Sequence, residues 1–310
     1  MNPCRWLVRA LLSAGVAWLL VAFAPLARSA PESRAGEPRW VHAYATYGEP
    51  KYGPDFTHFE YADPAAPKGG TLRLKNPDRR TSFDKYNPFT TRGNSPGGLV
   101  ILTFETLAIL SGDEPQTMYG VVAEAMQVAP DKSWISFRID PRARFTNGDP
   151  VTAEDVKYSF ESLSGKFASP TYQSVFEGVK KATVLDARTI RFDLREPSED
   201  ALFALGTNLY VFSRKWGMAS GPGAEGKPKK FDEIVTEMPI ATGPYKIGSV
   251  DPGRRIEFVR DPDYWARDLT GNARHRVISK RSLLSRGACP ERGVRRGFPP
   301  RRTGRTCARR

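Results

Sequence analysis

Three groups of residues in this 310-residue chain have types and spacings that could do chemistry. Gly93-Asn94-Ser95-Pro96-Gly97 fits G-x-S-x-G, the turn that exposes a hydrolase serine. In that turn the residue after the serine gives its backbone N–H to the oxyanion, and here it is Pro96, which has none. No apolar strand leads into it, and the only later histidine, His275, falls in an Arg-rich tail. The segment reads as an ordinary turn. Gly221-Pro222-Gly223-Ala224-Glu225-Gly226 fits G-x-G-x-x-G, but a dinucleotide site needs a strand before and a helix after. Its flanks, Ala219-Ser220 and Lys227-Pro228-Lys229-Lys230, provide neither, so it reads as a polar loop. His42 and His58 have no cysteine or paired carboxylate at ligand spacing, and read as hydrogen-bonded structural histidines. No metal site, no cofactor site and no acid/base or nucleophile constellation survives. The chain does not read as an enzyme.

The elements around these groups are more informative. Asn147-Gly148 marks a turn after the alternating run from Trp134 to Ile139. Thr152 then stands three residues before Asp155, the spacing of a capping box, and Val156, Phe160 and Leu163 follow at helical intervals. A helix from Ala153 is expected. Lys181–Leu185 and Thr189–Leu194 read as a hairpin, as do Tyr245–Val250 and Ile256–Arg260 across Asp251-Pro252-Gly253. Thr71–Lys75 reads as a short strand, Gly98–Leu110 as an apolar helix, Tyr119–Met126 as a helical or mixed segment and Glu199–Leu205 as a short helix.

Charge and cysteine usage narrow the class. The net charge is +13, which invites a nucleic-acid reading. Its distribution decides against one. Residues 271 to 310 hold thirteen Lys/Arg against the single acid Glu291, whereas residues 30 to 270 hold 31 basic and 33 acidic groups. The segment built to fold is close to neutral, and the basicity is confined to a tail without helical or strand period. Cys4, Cys289 and Cys307 all lie outside that segment. Residues 1–29 read as a secretory signal: Arg5 and Arg9, an apolar stretch to Leu26, then small residues at Ala27 and Ser29.

The residue identities carry a resemblance. Phe145, Asn147-Gly148, Pro150, Thr152-Ala153-Glu154-Asp155-Val156 and Ser159-Phe160-Glu161 closely resemble the signature of the family-five extracellular solute-binding proteins, receptors of bacterial ABC importers. Thr242-Gly243-Pro244-Tyr245, Asp251-Pro252-Gly253 and Asp261-Pro262-Asp263-Tyr264-Trp265 form a second similar block. A third runs from His42 through Tyr47-Gly48, Pro54-Asp55-Phe56, Phe59, Tyr61, Pro64, Ala66-Pro67-Lys68-Gly69-Gly70 and Leu72-Arg73-Leu74, and is similar to the YejA-like members.

The resemblance implies an α/β fold: the first lobe of a two-lobed class II periplasmic binding protein, a mixed sheet with flanking helices. It implies a periplasmic, monomeric receptor that takes a short peptide or peptide-like ligand, hands it to an ABC permease and meets no nucleic acid. The loop Phe83-Asp84-Lys85-Tyr86-Asn87 resembles the family's cleft loop, which makes Phe83, Asp84, Tyr86 and Asn87 the expected ligand-binding residues. A structural loop packed on Phe89 is the alternative, and Lys85 departs from the small or apolar residue usual there. Tyr264-Trp265 is expected to be strand-end packing rather than a stacking platform.

The expected organisation is a signal over 1–29, a partial lobe over 30–270 and an Arg-rich tail over 271–310. Nothing after Leu269 resembles the second lobe, and a shifted reading frame is the expectation for the tail. The rival is an exported domain whose basic tail binds nucleic acid or anionic lipid. With the second lobe missing, the chain by itself is expected to hold peptide poorly.

Overall fold

The computed structural model describes residues 38–63, 69–73, 82–218 and 226–267. The expected signal, the tail and most of the Gly221–Gly226 loop lie outside them. In chain order the elements are β1 (Ala43–Ala45), α1 (Leu99–Thr103), β2 (Glu105–Thr106), β3 (Ala108–Leu110), β4 (Thr117–Gly120), β5 (Ala123–Val128) and β6 (Trp134–Ile139). Then follow α2 (Ala153–Ser164), α3 (Pro170–Val175), β7 (Val179–Val184), β8 (Thr189–Leu194), α4 (Glu199–Thr207) and β9 (Tyr210–Val211). A 3-10 turn at Phe231–Glu233 precedes β10 (Tyr245–Asp251) and β11 (Arg255–Arg260).

Helices and strands mix as expected for an α/β chain. A four-stranded sheet has the order β5-β6-β8-β7, a three-stranded one β1-β4-β3, and β2-β9 and β10-β11 form pairs. Every pairing among the described strands is antiparallel, where a mixed sheet was expected. Short turns join β5 to β6 and β7 to β8, and short turns can connect only antiparallel neighbours.

The four-stranded sheet buries one face. Ile135, Phe137 and Ile139 of β6 and Ile190, Phe192 and Leu194 of β8 alternate inward, against Val156, Phe160 and Leu163 of α2. The Phe160 ring meets Phe192 at 5.4 Å and Phe176 at 5.7 Å.

The start of α2 shows what its signature residues do. Asp155 is buried. Its Oδ2 accepts from Thr152 N (3.1 Å) and Thr152 Oγ1 (2.6 Å), and its Oδ1 accepts from Arg214 N at 3.1 Å. The reciprocal bond of the capping box, Asp155 N to Thr152 Oγ1, spans 3.3 Å. One turn on, Ser159 Oγ accepts from Phe212 N at 3.0 Å. The motif therefore ties a helix N-terminus to the chain that follows β9. Asp155→Ala removes the carboxylate half of the capping box and leaves the part-buried Thr152 and Arg214 amides without that acceptor. It is expected to cost about 2 kcal/mol, read calorimetrically as a fall in Tm of roughly 4–8 °C. Glu154→Ala, at the exposed neighbour, is expected to leave Tm unchanged.

Three sequence expectations need correction. The helix expected over Gly98–Leu110 stops at Thr103, because Phe104 is extended (φ −110°, ψ 141°) and Glu105-Thr106 pair with Val211 and Tyr210. Tyr119–Met126 is not helical: it ends β4 and forms most of β5, where exposed Glu124 alternates with buried Ala123 and Ala125. Residues 71–73 of the strand expected at Thr71–Lys75 are exposed and unpaired; Leu74 and Lys75 lie outside the described residues.

Candidate functional site

The loop from Ser82 to Gly97 is held by its own polar groups and by distant carbonyls. Asp84 Oδ1 accepts from Asn94 N at 2.6 Å, and Asp84 N donates to Asn94 O at 3.0 Å. Between them Gly93 sits at φ +76°, and a Cβ there would stand 2.6 Å from Asp84 Oδ1. The glycine of the apparent hydrolase motif is thus required for a clamp, and Pro96 and Ser95 belong to its return path. Tyr86 N donates to Val235 O at 2.6 Å. Asn87 is fully buried; its Nδ2 donates to Phe231 O at 2.9 Å while its Oδ1 accepts from Phe89 N at 3.1 Å. The turn of the β10–β11 hairpin abuts the loop: a Cβ added to Gly253 would lie 3.3 Å from Ser82 Cβ.

Lys85, the residue that departs from the family's pattern, is 2% exposed. Its Nζ donates to Thr90 O at 2.6 Å and to Thr90 Oγ1 at 3.1 Å. Burial lowers its pKa below the usual lysine value, and the charge on Asp84 opposes that shift in part. Of the residues expected to bind ligand, the fold leaves Asp84 exposed and Phe83 and Tyr86 half-buried. Asn87 instead turns inward and fixes the loop's shape. The anchors at Phe231 and Val235 had no signal in sequence, since the Asn87–Phe231 bond spans 144 positions.

Tyr264 and Trp265 face inward. Tyr264 is 7% exposed and its hydroxyl donates to Glu105 Oε1. Trp265 Nε1 lies 3.2 Å from both Glu105 Oε2 and Thr242 O. Burial, with the Glu105 charge and hydrogen bond, holds the Tyr264 phenol well above its ordinary pKa. The pair locks the end of the β10–β11 segment onto β2, as expected for packing and not for a stacking platform.

The segment from His42 to Ala62 folds over β4 through an aromatic nest. Tyr52, Phe56, Phe59 and Tyr119 meet with ring centroids 5.1–5.7 Å apart. His42 Nε2 lies 2.8 Å from Tyr52 O, and His58 Nδ1 lies 2.9 Å from Thr57 Oγ1, the hydrogen-bonded roles expected of both. Among the described residues no group of three or more His, Cys, Asp or Glu side chains could hold a metal ion.

Asp113 latches this segment, taking bonds from Lys51 Nζ (2.8 Å), Tyr52 Oη (2.5 Å) and Ser111 Oγ (2.8 Å). Burial alone would raise its pKa. The bonds from Lys51, Tyr52 and Ser111 outweigh it, and the carboxyl is held at about 2 against an ordinary 3.8. A pKa lowered by folding contributes stability above the unfolded value, and that stability is lost as pH falls through the folded value. The wild type is therefore expected to melt above Asp113→Asn when the pH exceeds the ordinary 3.8, with the difference vanishing toward about pH 2. A gap independent of pH would show that Asp113 acts by shape alone.

The family model for bacterial extracellular solute-binding proteins, family 5, matches residues 117–280. The uncharacterized protein YejA of Escherichia coli is 35% identical over 231 residues, 74% of this chain and 36% of that protein. A probable peptide-binding protein YejA of Agrobacterium fabrum is 35% identical over 233 residues, 75% of this chain and 37% of its own length. The Helicobacter pylori periplasmic binding protein DppA, solved with the peptide STSA, is 24% identical with a TM-score of 0.47, covering 60% of this chain and 38% of that one. The chain thus spans little more than a third of the length of these relatives.

Proposed function

The chain belongs to the bacterial extracellular solute-binding proteins of family 5, and from that premise we propose that it is part of a periplasmic receptor for short peptides or peptide-like compounds. Residues 1–29 direct export, residues 30–270 form a segment of the first of two lobes, and the Arg-rich residues 271–310 take no part in binding. The complete receptor acts as a monomer, contacts no nucleic acid and passes its ligand to an ABC permease. A relative's name supports the ligand class: it is a probable peptide-binding protein.

One observation supports the Phe83–Asn87 loop as the ligand-facing one. The loop is rooted by buried Lys85 and Asn87 and braced by Phe231, Val235 and the Gly253 turn, yet leaves Asp84 exposed and Phe83 and Tyr86 half-buried. A rigid backbone presenting two aromatic rings and a carboxylate suits a peptide, whose side chains stack on rings and whose amino group pairs with an acid. A depression of ≈ 300 Å³ elsewhere on the described surface is lined by other residues.

The test uses a receptor of the relatives' full length carrying this segment, titrated calorimetrically with short peptides. Phe83→Ala with Tyr86→Ala is expected to weaken binding about tenfold or more, since each ring contributes on the order of 1 kcal/mol beyond its buried area. Unchanged affinity with an unchanged Tm would remove the loop from the site.

A further inference from the structure

The outward face of the four-stranded sheet is built differently from the rest of the surface. Trp134, Ser136 and Arg138 of β6 and Arg191 and Asp193 of β8 alternate with the core residues and point away from α2. Two arginines stand over two tryptophan rings: Arg138 Cζ is 4.9 Å from the Trp40 centroid and Arg191 Cζ 4.2 Å from that of Trp134. Arg191 also donates from Nε to Asp193 Oδ1 at 2.8 Å. The guanidinium is therefore fixed by a ring below and a carboxylate beside it.

Beside it the β7–β8 register slips. Val179 pairs with Leu194 and Lys181 with Asp193, so two β7 residues oppose one position of β8. In a regular strand Lys180 and Lys181 would point to opposite faces. The bulge breaks that alternation, and both lysines line one depression of ≈ 300 Å³ with Ser133, Trp134, Arg191 and Asp193. Both are exposed, and among the described residues neither has a carboxylate within ion-pair distance. Three cations thus share a depression with a single acid that Arg191 already engages.

We propose that this depression binds a small dianion, a phosphate or a dicarboxylate, between Lys180, Lys181 and the Trp134-backed guanidinium of Arg191. β7 is an edge strand, and lysines on an edge serve generally to discourage pairing with another chain. That role does not require turning two adjacent lysines onto one face beside an immobilised arginine. Gathering like charges there opposes folding unless an anion offsets the repulsion. A planar guanidinium whose Nε and Nη2 face Asp193 and whose Nη1 lies outside that pair, flanked by two point-charge ammoniums, suits the several acceptor oxygens of a dianion. None of Phe83, Asp84, Tyr86 or Asn87 lines the depression, so the proposal stands apart from the peptide reading.

The test is a titration of the whole chain with inorganic phosphate, succinate and chloride at low ionic strength, where exposed charges are least screened. The indole N–H signal of Trp134, assigned through Trp134→Phe, reports occupancy. Phosphate or succinate is expected to shift it saturably, with chloride inert at equal ionic strength. Lys180→Gln with Lys181→Gln is expected to weaken binding about tenfold, each exposed ammonium supplying up to about a factor of five. Lys227→Gln, a single charge change outside the depression, is expected to leave binding unchanged, where Lys180→Gln alone loses up to about fivefold. Saturation by phosphate alone would assign a tetrahedral ligand, and saturation by both a reader of charge spacing. Absence of saturation, equal competition by chloride or equal loss in Lys227→Gln would each overturn the site.

Discussion

Phe89→Ala is expected to cost about 3–5 kcal/mol, the range for truncating a fully buried aromatic residue. Thermal unfolding should then fall by roughly 6–20 °C for a unit of this size. The reason is position. Phe89 has no exposed surface and stands among six rings: Phe104 at 5.0 Å, Tyr172 at 5.2 Å, Phe212 at 5.5 Å, Tyr210 at 5.6 Å, Phe231 at 6.4 Å and Trp216 at 6.5 Å. These come from α1's C-terminal neighbour, α3, β9 and the segments after it, so no single element can move inward to fill the space. The edge-on arrangement of Phe104 and Tyr172 adds to plain area burial. Phe89→Leu retains most of the volume and is expected to lose about 1–2 kcal/mol. Similar melting of the alanine and leucine variants would show that the cluster relaxes around the cavity. The same residue roots the candidate site, since its N–H is held by Asn87 Oδ1 at 3.1 Å. A structural loop packed on Phe89 and a ligand-facing loop are thus one object seen from two sides.

What was legible in the sequence follows from the range of each interaction. The capped start of α2 and both hairpins were readable because their causes are local: Thr152 and Asp155 three residues apart, and turn residues between alternating runs. Gly98–Leu110 was misread because Leu99 in the helix, Phe104 and Leu107 at the junctions and Ala108 in β3 are all buried alike. Apolar residues buried on every side carry no period. The partner that settles the matter, β9, lies about a hundred residues further along the chain. The candidate loop was found through the identity of its residues. Its anchoring by Phe231 and Val235 was not, and without those contacts Asn87 could not be told from a ligand-facing amide. The bulge that gathers Lys180 and Lys181 was equally silent, because a register slip is set by pairing and not by the strand's own sequence.

Gly243→Ala is the second large effect expected, and it explains a motif residue by geometry. A Cβ at Gly243 would stand 2.4 Å from Thr103 O, 2.5 Å from Thr103 C and 2.9 Å from Leu102 O. All three atoms are backbone at the C-terminal end of α1, so no side chain can rotate aside. Gly243 N also donates to Thr103 O at 2.9 Å, a bond that brings the two backbones together in the first place. Relieving the overlap must push β10 away from α1 and break that bond. Overpacking of this kind costs about 1–3 kcal/mol, and the lost buried hydrogen bond adds about 1 more. A total of about 2–4 kcal/mol corresponds to a fall in Tm of roughly 4–16 °C. The displacement also strains the lock beyond it, because Trp265 Nε1 reaches Thr242 O and Glu105 follows Thr103 by two residues. The buried indole N–H of Trp265 should therefore exchange with solvent faster in Gly243→Ala. Thr242→Val is the matching control: its buried hydroxyl has no partner among the described residues, so the isosteric change should be neutral or slightly stabilising. If Gly243→Ala melted within a degree or two of the wild type, α1 and β10 would have to slide freely past each other, and the fixed geometry that carries the loop and the Tyr264–Trp265 lock would be wrong.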